Sequence, residues 1–212
     1  MTIQVKDRDL ISIQEARNLV ELAAEAQAIY RELDQQTIDK TVAAVAEATY
    51  AQAVKLAKMA HEETGFGKWP DKVVKNMFAS QRVNEFIKPM KTIGLIREDK
   101  ENKIFEVGVP VGLVTALIPS TNPTSTVIFK ALIGLKAGCA VIFSPHPSAK
   151  NCIIETVKIV RSTLEDLGLP KNLITCLTTP TKEATDTLMK HPKMNLILAT
   201  GGPGMVKAAY SS

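Results

Sequence analysis

Four uninterrupted apolar runs recur in the second half of the chain, and each is short enough to be a buried strand. The runs occupy 111–119, 139–145, 172–178 and 194–200. Segments with helical spacing of apolar residues lie between them at 124–138, 148–168 and 181–192. Strands that are apolar throughout are buried on both faces, which is typical of a parallel sheet covered by helices on both sides. The pattern predicts an α/β fold with an open, doubly wound sheet.

The region before this sheet has a purely helical pattern. Helices are predicted at 12–32, 35–63 and 69–87. Ser12 and Glu15 form an S-x-x-E capping box, which predicts the start of the first helix. Gly65 stands just past the second helix, and Pro70 lies in the first turn of the third. The sequence therefore predicts a helical amino-terminal lead-in over 1–90.

A β-hairpin arm is predicted between the helical region and the sheet, at 91–109. Apolar and polar residues alternate there on either side of a charged turn at 98–102. The charged face suits an arm that extends from the body of the protein.

Composition narrows the function classes. The net charge is +4, and aromatic residues make up only 5% of the chain, a pattern that favours a solvated surface over nucleic-acid binding. No apolar run approaches the ~20 residues that span a bilayer, and the first 15 residues lack a signal peptide's apolar core, so we expect a cytoplasmic protein without a membrane segment. The chain has three cysteines, and no two of them have CxxC spacing, so we expect neither disulfides nor a metal site.

Three of the predicted strands are followed by loops of small or polar residues. These loops are 119–123, 144–148 and 200–204. Ligands of such sheets bind beyond the carboxyl ends of the strands, and an open helix start attracts a pyrophosphate. Together the loops indicate a dinucleotide crevice, although each alone also fits an ordinary helix cap. The G-x-G-x-x-G fingerprint of a standard dinucleotide fold is missing after the first strand.

Nucleophile and base candidates are few. His146 lies between two prolines, where it suits a base, an adenine contact or a plain surface position equally. Cys139 opens a buried strand, Cys152 lies on a helix and Cys176 lies inside a strand. These three positions are typical of small core residues, so none of the thiols is expected to be a nucleophile.

The three loops in their sequence context resemble one enzyme family. "IPSTNPTSTVIFKALIGLKAG", "VIFSPHPSAK" and "NLILATGGPGMVKAAYSS" are similar to motifs of the CoA-acylating aldehyde dehydrogenases, in particular the acetaldehyde dehydrogenase part of bifunctional aldehyde-alcohol dehydrogenases. The helical segment "EETGFGKWPDKVVKN" also resembles that family. The resemblance implies a Rossmann-like NAD domain that lacks the usual glycine fingerprint.

The resemblance also implies a reaction. An aldehyde, acetaldehyde in the first instance, reacts reversibly with CoA and NAD to give acyl-CoA and NADH. A cysteine thiolate attacks the aldehyde, hydride passes to the nicotinamide, and CoA resolves the thioester. None of the three cysteines here matches the family's nucleophile, so the catalytic cysteine is expected outside this chain.

Site residues follow from the resemblance position by position. Asn122 is the candidate for the amide that stabilises the oxyanion, and Thr121 competes with it because the register of the motif is shifted by one. Ser144 stands where many non-acylating members place a lysine on the adenosine ribose. The full set of implied NAD contacts is Leu117, Ile118, Pro119, Ser120, Thr121, Asn122, Ser144, Pro145, His146, Pro147, Gly201 and Gly202.

The implied organisation has three parts. These are a helical part of the cofactor domain over 1–90, an oligomerisation hairpin over 91–109, and an incomplete NAD-binding core over 110–212, with the catalytic domain absent. A homo-oligomer is expected. Two alternatives stay open, namely a nucleotide-binding or assembly module without activity, and another branch of the superfamily such as glutamyl phosphate reductase.

Overall fold

A four-stranded parallel sheet and its helices form the body of the protein in the computed structural model, which describes residues 7–212. The helices are α1 (Arg8–Tyr30), α2 (Gln35–Ala51), α3 (Ala53–Thr64), α4 (Trp69–Met77), α5 (Val83–Ile87), α6 (Pro123–Lys136), α7 (Lys150–Asp166), α8 (Lys182–Met189) and α9 (Pro203–Tyr210). The strands are β1 (Gly94–Asp99), β2 (Ile104–Gly108), β3 (Leu113–Ile118), β4 (Ala140–Pro145), β5 (Ile174–Cys176) and β6 (Met194–Ala199). Among the described residues, no helix combines the length and apolar character needed to cross a bilayer.

The sheet confirms the α/β prediction. Its strand order is β5-β4-β3-β6, and every neighbouring pair is parallel. β3 and β4 are buried along their whole length, as their uninterrupted apolar runs predict. Helices α6 and α7 pack with α2 on one face, while α1 and α8 pack together on the other. Helices therefore lie on both faces of the sheet, and the carboxyl ends of the strands meet at one edge. The prediction of a buried strand is wrong for β6, because β6 pairs with β3 alone at the edge of the sheet, where Asn195 and Leu196 are exposed and its other residues are half-buried.

The helical lead-in forms where expected, but its boundaries differ. The capping-box prediction is wrong, because α1 begins at Arg8 and Asp7 accepts the backbone N–H groups of Asp9 and Leu10. Ser12 lies inside the helix, where its hydroxyl donates to the carbonyl of Asp9 at 2.8 Å. Residues 1–6 of the predicted 1–90 region lie outside the described part.

Two of the predicted helices are interrupted. The segment 35–63 bends at Gln52, which separates α2 from α3. Gly65 ends α3 with a φ of +69°, a left-handed conformation that only glycine adopts at little cost. The helix after Pro70 contains a π-helical turn over Phe78–Arg82, between α4 and α5.

Strands β1 and β2 form the predicted antiparallel hairpin, paired from Gly94↔Gly108 to Asp99↔Ile104. Asp99 closes the turn by accepting from the backbone and the side chain of Asn102. Nearly every residue of the two strands is exposed, including Phe105 at 62% and Val107 at 59%. The hairpin thus projects from the body and carries apolar side chains into solvent.

Candidate functional site

A crevice of about 790 Å³ lies at the carboxyl edge of the sheet. It brings together all three loops that the sequence analysis selected, since residues 117–121, 144–147 and 200–202 line it. The crevice is lined by Leu117, Ile118, Pro119, Ser120, Thr121, Ser144, Pro145, His146, Pro147, Pro180, Thr181, Lys182, Thr185, Asp186, Met189, Thr200, Gly201, Gly202, Gly204, Met205 and Ala208.

The strand order explains why the crevice forms there. The chain runs from β3 to β4 to β5 in one direction and then returns to β6 on the opposite side of β3. The connections that leave β3 and β6 consequently diverge, which opens a gap between them. A ligand at this switch point contacts the ends of several strands at once.

Asn122 lies beside the crevice rather than in its lining. Its side-chain Oδ1 accepts from the Lys75 ammonium at 2.9 Å, and no hydrogen bond engages its Nδ2 within residues 7–212. With Oδ1 occupied by Lys75, the N–H₂ end of the amide is the free donor. Thr121, the competing candidate, does line the crevice, and its side chain is exposed.

Two lysines of α4 hold this turn. The buried Lys72 donates to the backbone carbonyl of Thr121 at 2.7 Å, next to the bond between Lys75 and Asn122. Burial, together with the neighbouring Lys75 ammonium, lowers the pKa of Lys72. The helical lead-in thereby fixes the conformation of the loop after β3.

The loop after β4 supplies a buried hydroxyl and a histidine. Ser144 is 5% exposed, and its Oγ lies 2.8 Å from Oγ1 of Thr185 on α8. The Nδ1 of His146 accepts the backbone N–H of Ser148 at 3.2 Å, so the neutral ring carries its proton on Nε2. In this tautomer Nε2–H is the ring's remaining donor, on an exposed residue of the crevice lining.

The glycine turn before α9 has the properties of an anion cradle. Gly202 is the N-cap of α9 and gives it no side-chain hydrogen bond. A side chain at Gly202 or Gly204 would meet no protein atom within 4 Å, and the φ of Gly202 is an ordinary −67°. Neither backbone conformation nor packing within residues 7–212 requires these glycines, and the open space beside their N–H groups fits the close approach of a phosphate. The residues present thus fit a dinucleotide pyrophosphate.

A fourth segment of the crevice escaped the sequence analysis. The loop and first turns of α8 contribute Thr181, Lys182, Thr185 and Asp186. They follow β5, whose carboxyl end lies at the same edge of the sheet, so the rule that selected the other loops also applies to this one. Lys182 and Asp186 are the two formally charged side chains among the lining residues.

The three cysteines lie away from the crevice lining. Cys139, Cys152 and Cys176 are all buried, as the sequence predicts, and burial raises the pKa of each thiol. A thiol held protonated and out of reach of solvent is inert as a nucleophile.

The sequence of this chain is similar to those of known proteins. Residues 5–212 match the aldehyde dehydrogenase family model. The chain is 45% identical over 201 residues to the bifunctional aldehyde-alcohol dehydrogenase AdhE of Escherichia coli, of which it spans 23%.

Two solved structures have the same fold. The acetylating aldehyde dehydrogenase of Geobacillus thermoglucosidasius is 55% identical with a TM-score of 0.96, and the match covers 98% of this chain and 46% of that one. The propionaldehyde dehydrogenase of Rhodopseudomonas palustris with bound propionyl-CoA is 34% identical with a TM-score of 0.82, covering 92% and 43%. The chain therefore spans less than half the length of these relatives, and it belongs to the aldehyde dehydrogenase family.

Proposed function

We propose that this chain is the dinucleotide-binding part of an NAD-dependent, CoA-acylating aldehyde dehydrogenase, which converts an aldehyde such as acetaldehyde and CoA reversibly to acyl-CoA. The observation that carries the proposal is the convergence of four strand-end segments on one crevice at the switch point, with an uncapped helix start at its side. The names of the Geobacillus and Rhodopseudomonas relatives support the acylating chemistry.

Each segment has a role in this proposal. The N–H groups around Gly201 and Gly202 bind the pyrophosphate, while Pro145, His146 and Pro147 flank the adenosine. NAD supplies the hydride acceptor when it is bound. The turn at 119–122 lies at the end of β3, where the side chain of Asn122 donates to the oxygen on which negative charge develops.

Binding and turnover test the proposal separately. Titration calorimetry of residues 1–212 with NAD should give one site per chain. For turnover, residues 1–212 are joined to the part of the Geobacillus enzyme that they do not cover. This chimera should form NADH only when aldehyde, CoA and NAD are all present. Turnover with an acyl phosphate and NADPH instead would point to the glutamyl phosphate reductase branch.

NAD is expected to be preferred over NADP by the chimera, roughly tenfold or more in kcat/KM, because a 2′-phosphate needs a cation and is repelled by a carboxylate. Loop 144–148 has no Lys or Arg, and Asp186 adds a negative charge to the crevice. Asp186→Asn should lower the ratio of kcat/KM with NAD to kcat/KM with NADP. The control is Asp166→Asn, at an exposed residue at the end of α7, which should leave this ratio unchanged. A preference for NADP would contradict the proposal and direct attention to Lys182 and Lys150.

The hairpin is proposed to be an oligomer contact, since it exposes apolar side chains on an arm with little core of its own. Deleting residues 94–106 from the chimera should convert an oligomer of at least two subunits into monomers. Light scattering measures the mass. Leu167→Ser, at a residue 45% exposed on the body, is the control and should leave the mass unchanged. An unchanged mass after the deletion would place the contact elsewhere.

A further inference from the structure

A buried lysine lies beneath the crevice, and its ammonium has no carboxylate partner among the residues that the structure describes. Lys130 sits in the middle of α6 and is 3% exposed. Its Nζ donates to the backbone carbonyl of Leu117 at 2.8 Å and to that of Leu198 at 2.6 Å. Burying an ammonium is costly, and a core position alone would be filled as well by an apolar side chain. The position of the two acceptors indicates what the ammonium does.

Both carbonyls belong to strand ends at the switch point. Leu117 is near the end of β3 and lines the crevice, and Leu198 is near the end of β6, two residues before Thr200. These two strands are neighbours in the sheet, and their connections diverge on the two sides of the crevice. One ammonium bound to both carbonyls therefore ties the two walls together at their base.

We propose that Lys130 is a positioning residue for the cofactor, whose ammonium clamps the ends of β3 and β6 and so sets the spacing between segments 117–122 and 199–205. This inference rests on the proposed dinucleotide function of the crevice. Charge-assisted bonds from one fixed donor are stronger than those from a neutral group, so the clamp is tightest when Lys130 is protonated. The same positive charge favours an anionic ligand above it.

The protonation state of Lys130 gives the clamp a measurable signature. Burial lowers the pKa of Lys130 to about 8, with no contribution from a charged neighbour. Among the charged groups on the elements around α6, Asp39 pairs with Lys136, Glu155 pairs with Lys55 and Arg82 pairs with Glu85, while Lys72 and Lys75 hold the 121–122 turn. Dinucleotide affinity should therefore fall as the pH rises through about 8.

Folding stability should change in the opposite direction. The folded chain releases the Lys130 proton below the unfolded value of 10.5, so the contribution of Lys130 to the free energy of unfolding rises between about pH 8 and 10.5. If general unfolding caused the loss of affinity, affinity and the free energy of unfolding would fall together. A fall in affinity while the contribution of Lys130 to stability rises therefore distinguishes the clamp from a merely structural role.

The experiment compares Lys130→Met with Lys136→Met in residues 1–212. Lys136 is equally buried on α6, but its ammonium binds Asp39 and the carbonyl of Lys88 instead of the crevice. NAD titrations from about pH 6.5 to about pH 9.5 should show a several-fold loss of affinity in the parent chain. Lys130→Met should bind roughly tenfold more weakly at neutral pH and lose this pH dependence. Lys136→Met should keep the parent profile.

A second measurement needs no ligand. Hydrogen exchange, corrected for its intrinsic pH dependence, should be faster in 117–122 and 199–205 of Lys130→Met and in the parent chain above about pH 8. Faster exchange without any NAD binding by the parent chain would reject the dinucleotide function and retain the clamp. Unchanged affinity, pH profile and exchange in Lys130→Met would reject the clamp. If Lys130→Met fails to fold, the parent chain provides the test. Corrected exchange rates in its segments 117–122 and 199–205 that do not change between about pH 6.5 and about pH 9.5 would also reject the clamp.

Discussion

Residues 1–212 by themselves are expected to produce no NADH from acetaldehyde, CoA and NAD, even where they bind NAD. The reaction needs a thiolate that reaches the aldehyde. Cys139, Cys152 and Cys176 are 1%, 0% and 8% exposed, and burial raises the pKa of all three. No thiol of the chain is therefore both ionised and accessible at neutral pH.

The measurement is NADH absorbance over time with the purified chain, and the chimera with the Geobacillus enzyme is the positive control. Replacing each of the three cysteines by serine in the chimera should leave turnover largely intact, apart from losses that track stability. CoA-dependent turnover by the isolated chain that disappears on replacing Cys139, Cys152 or Cys176 would place the nucleophile within this chain and overturn the expectation.

Replacing Asn122 by alanine should lower the kcat of the chimera by ~10²–10³-fold, the loss typical of one oxyanion donor. The expectation rests on the proposed role of the amide, whose Oδ1 is bound to Lys75 at 2.9 Å and whose N–H₂ group has no partner among residues 7–212. The Kd for NAD should change little, because Asn122 lies outside the crevice lining. Stopped-flow or steady-state NADH formation and NAD titration measure the two quantities.

Matched variants identify the donor. Asn18→Ala, at an exposed asparagine of α1, should leave kcat unchanged. Lys75→Met should lower kcat less than Asn122→Ala, because the amide loses its orienting partner but keeps its donor. A large loss in Thr121→Ala without one in Asn122→Ala would assign the role to Thr121, which lines the crevice.

Local turn geometry was the least predictable part of the lead-in. Ser12 and Glu15 have the spacing of a capping box, yet Asp7 caps α1 and Ser12 turns toward Thr181 of the loop before α8. Short polar side chains cap helices with similar energies, so nearby candidates are separated only by the packing around them. The interruption at Gln52 has no local sequence signal either, because the apolar pattern runs through it and Gln52 makes no side-chain capping bond.

The location of the crevice was largely predictable from the sequence, but the lysines that hold its loops and strand ends in place were not. All four segments of the crevice follow predicted apolar runs, although the run at 172–178 forms only the three-residue strand β5 and the loop after it was not selected. By contrast, Lys75 and Lys130 have no local signal, since they lie in helices where a lysine normally indicates a solvated face. Their partners, Asn122, Leu117 and Leu198, are distant in sequence or on another element.

The sequence by itself determined the class of fold and the edge of the sheet that carries the site. Strands buried on both faces are apolar nearly throughout, and parallel strands bring their carboxyl ends to one edge. The fold class and the edge that carries the site can therefore both be predicted from the order of apolar runs and helices along the chain. Only the tertiary structure decided which loops meet, that α8 completes the crevice, and that the buried Lys130 joins the ends of β3 and β6. The physical reason is that a side chain's partner across 68 residues depends on strand order and helix packing, which no local pattern encodes.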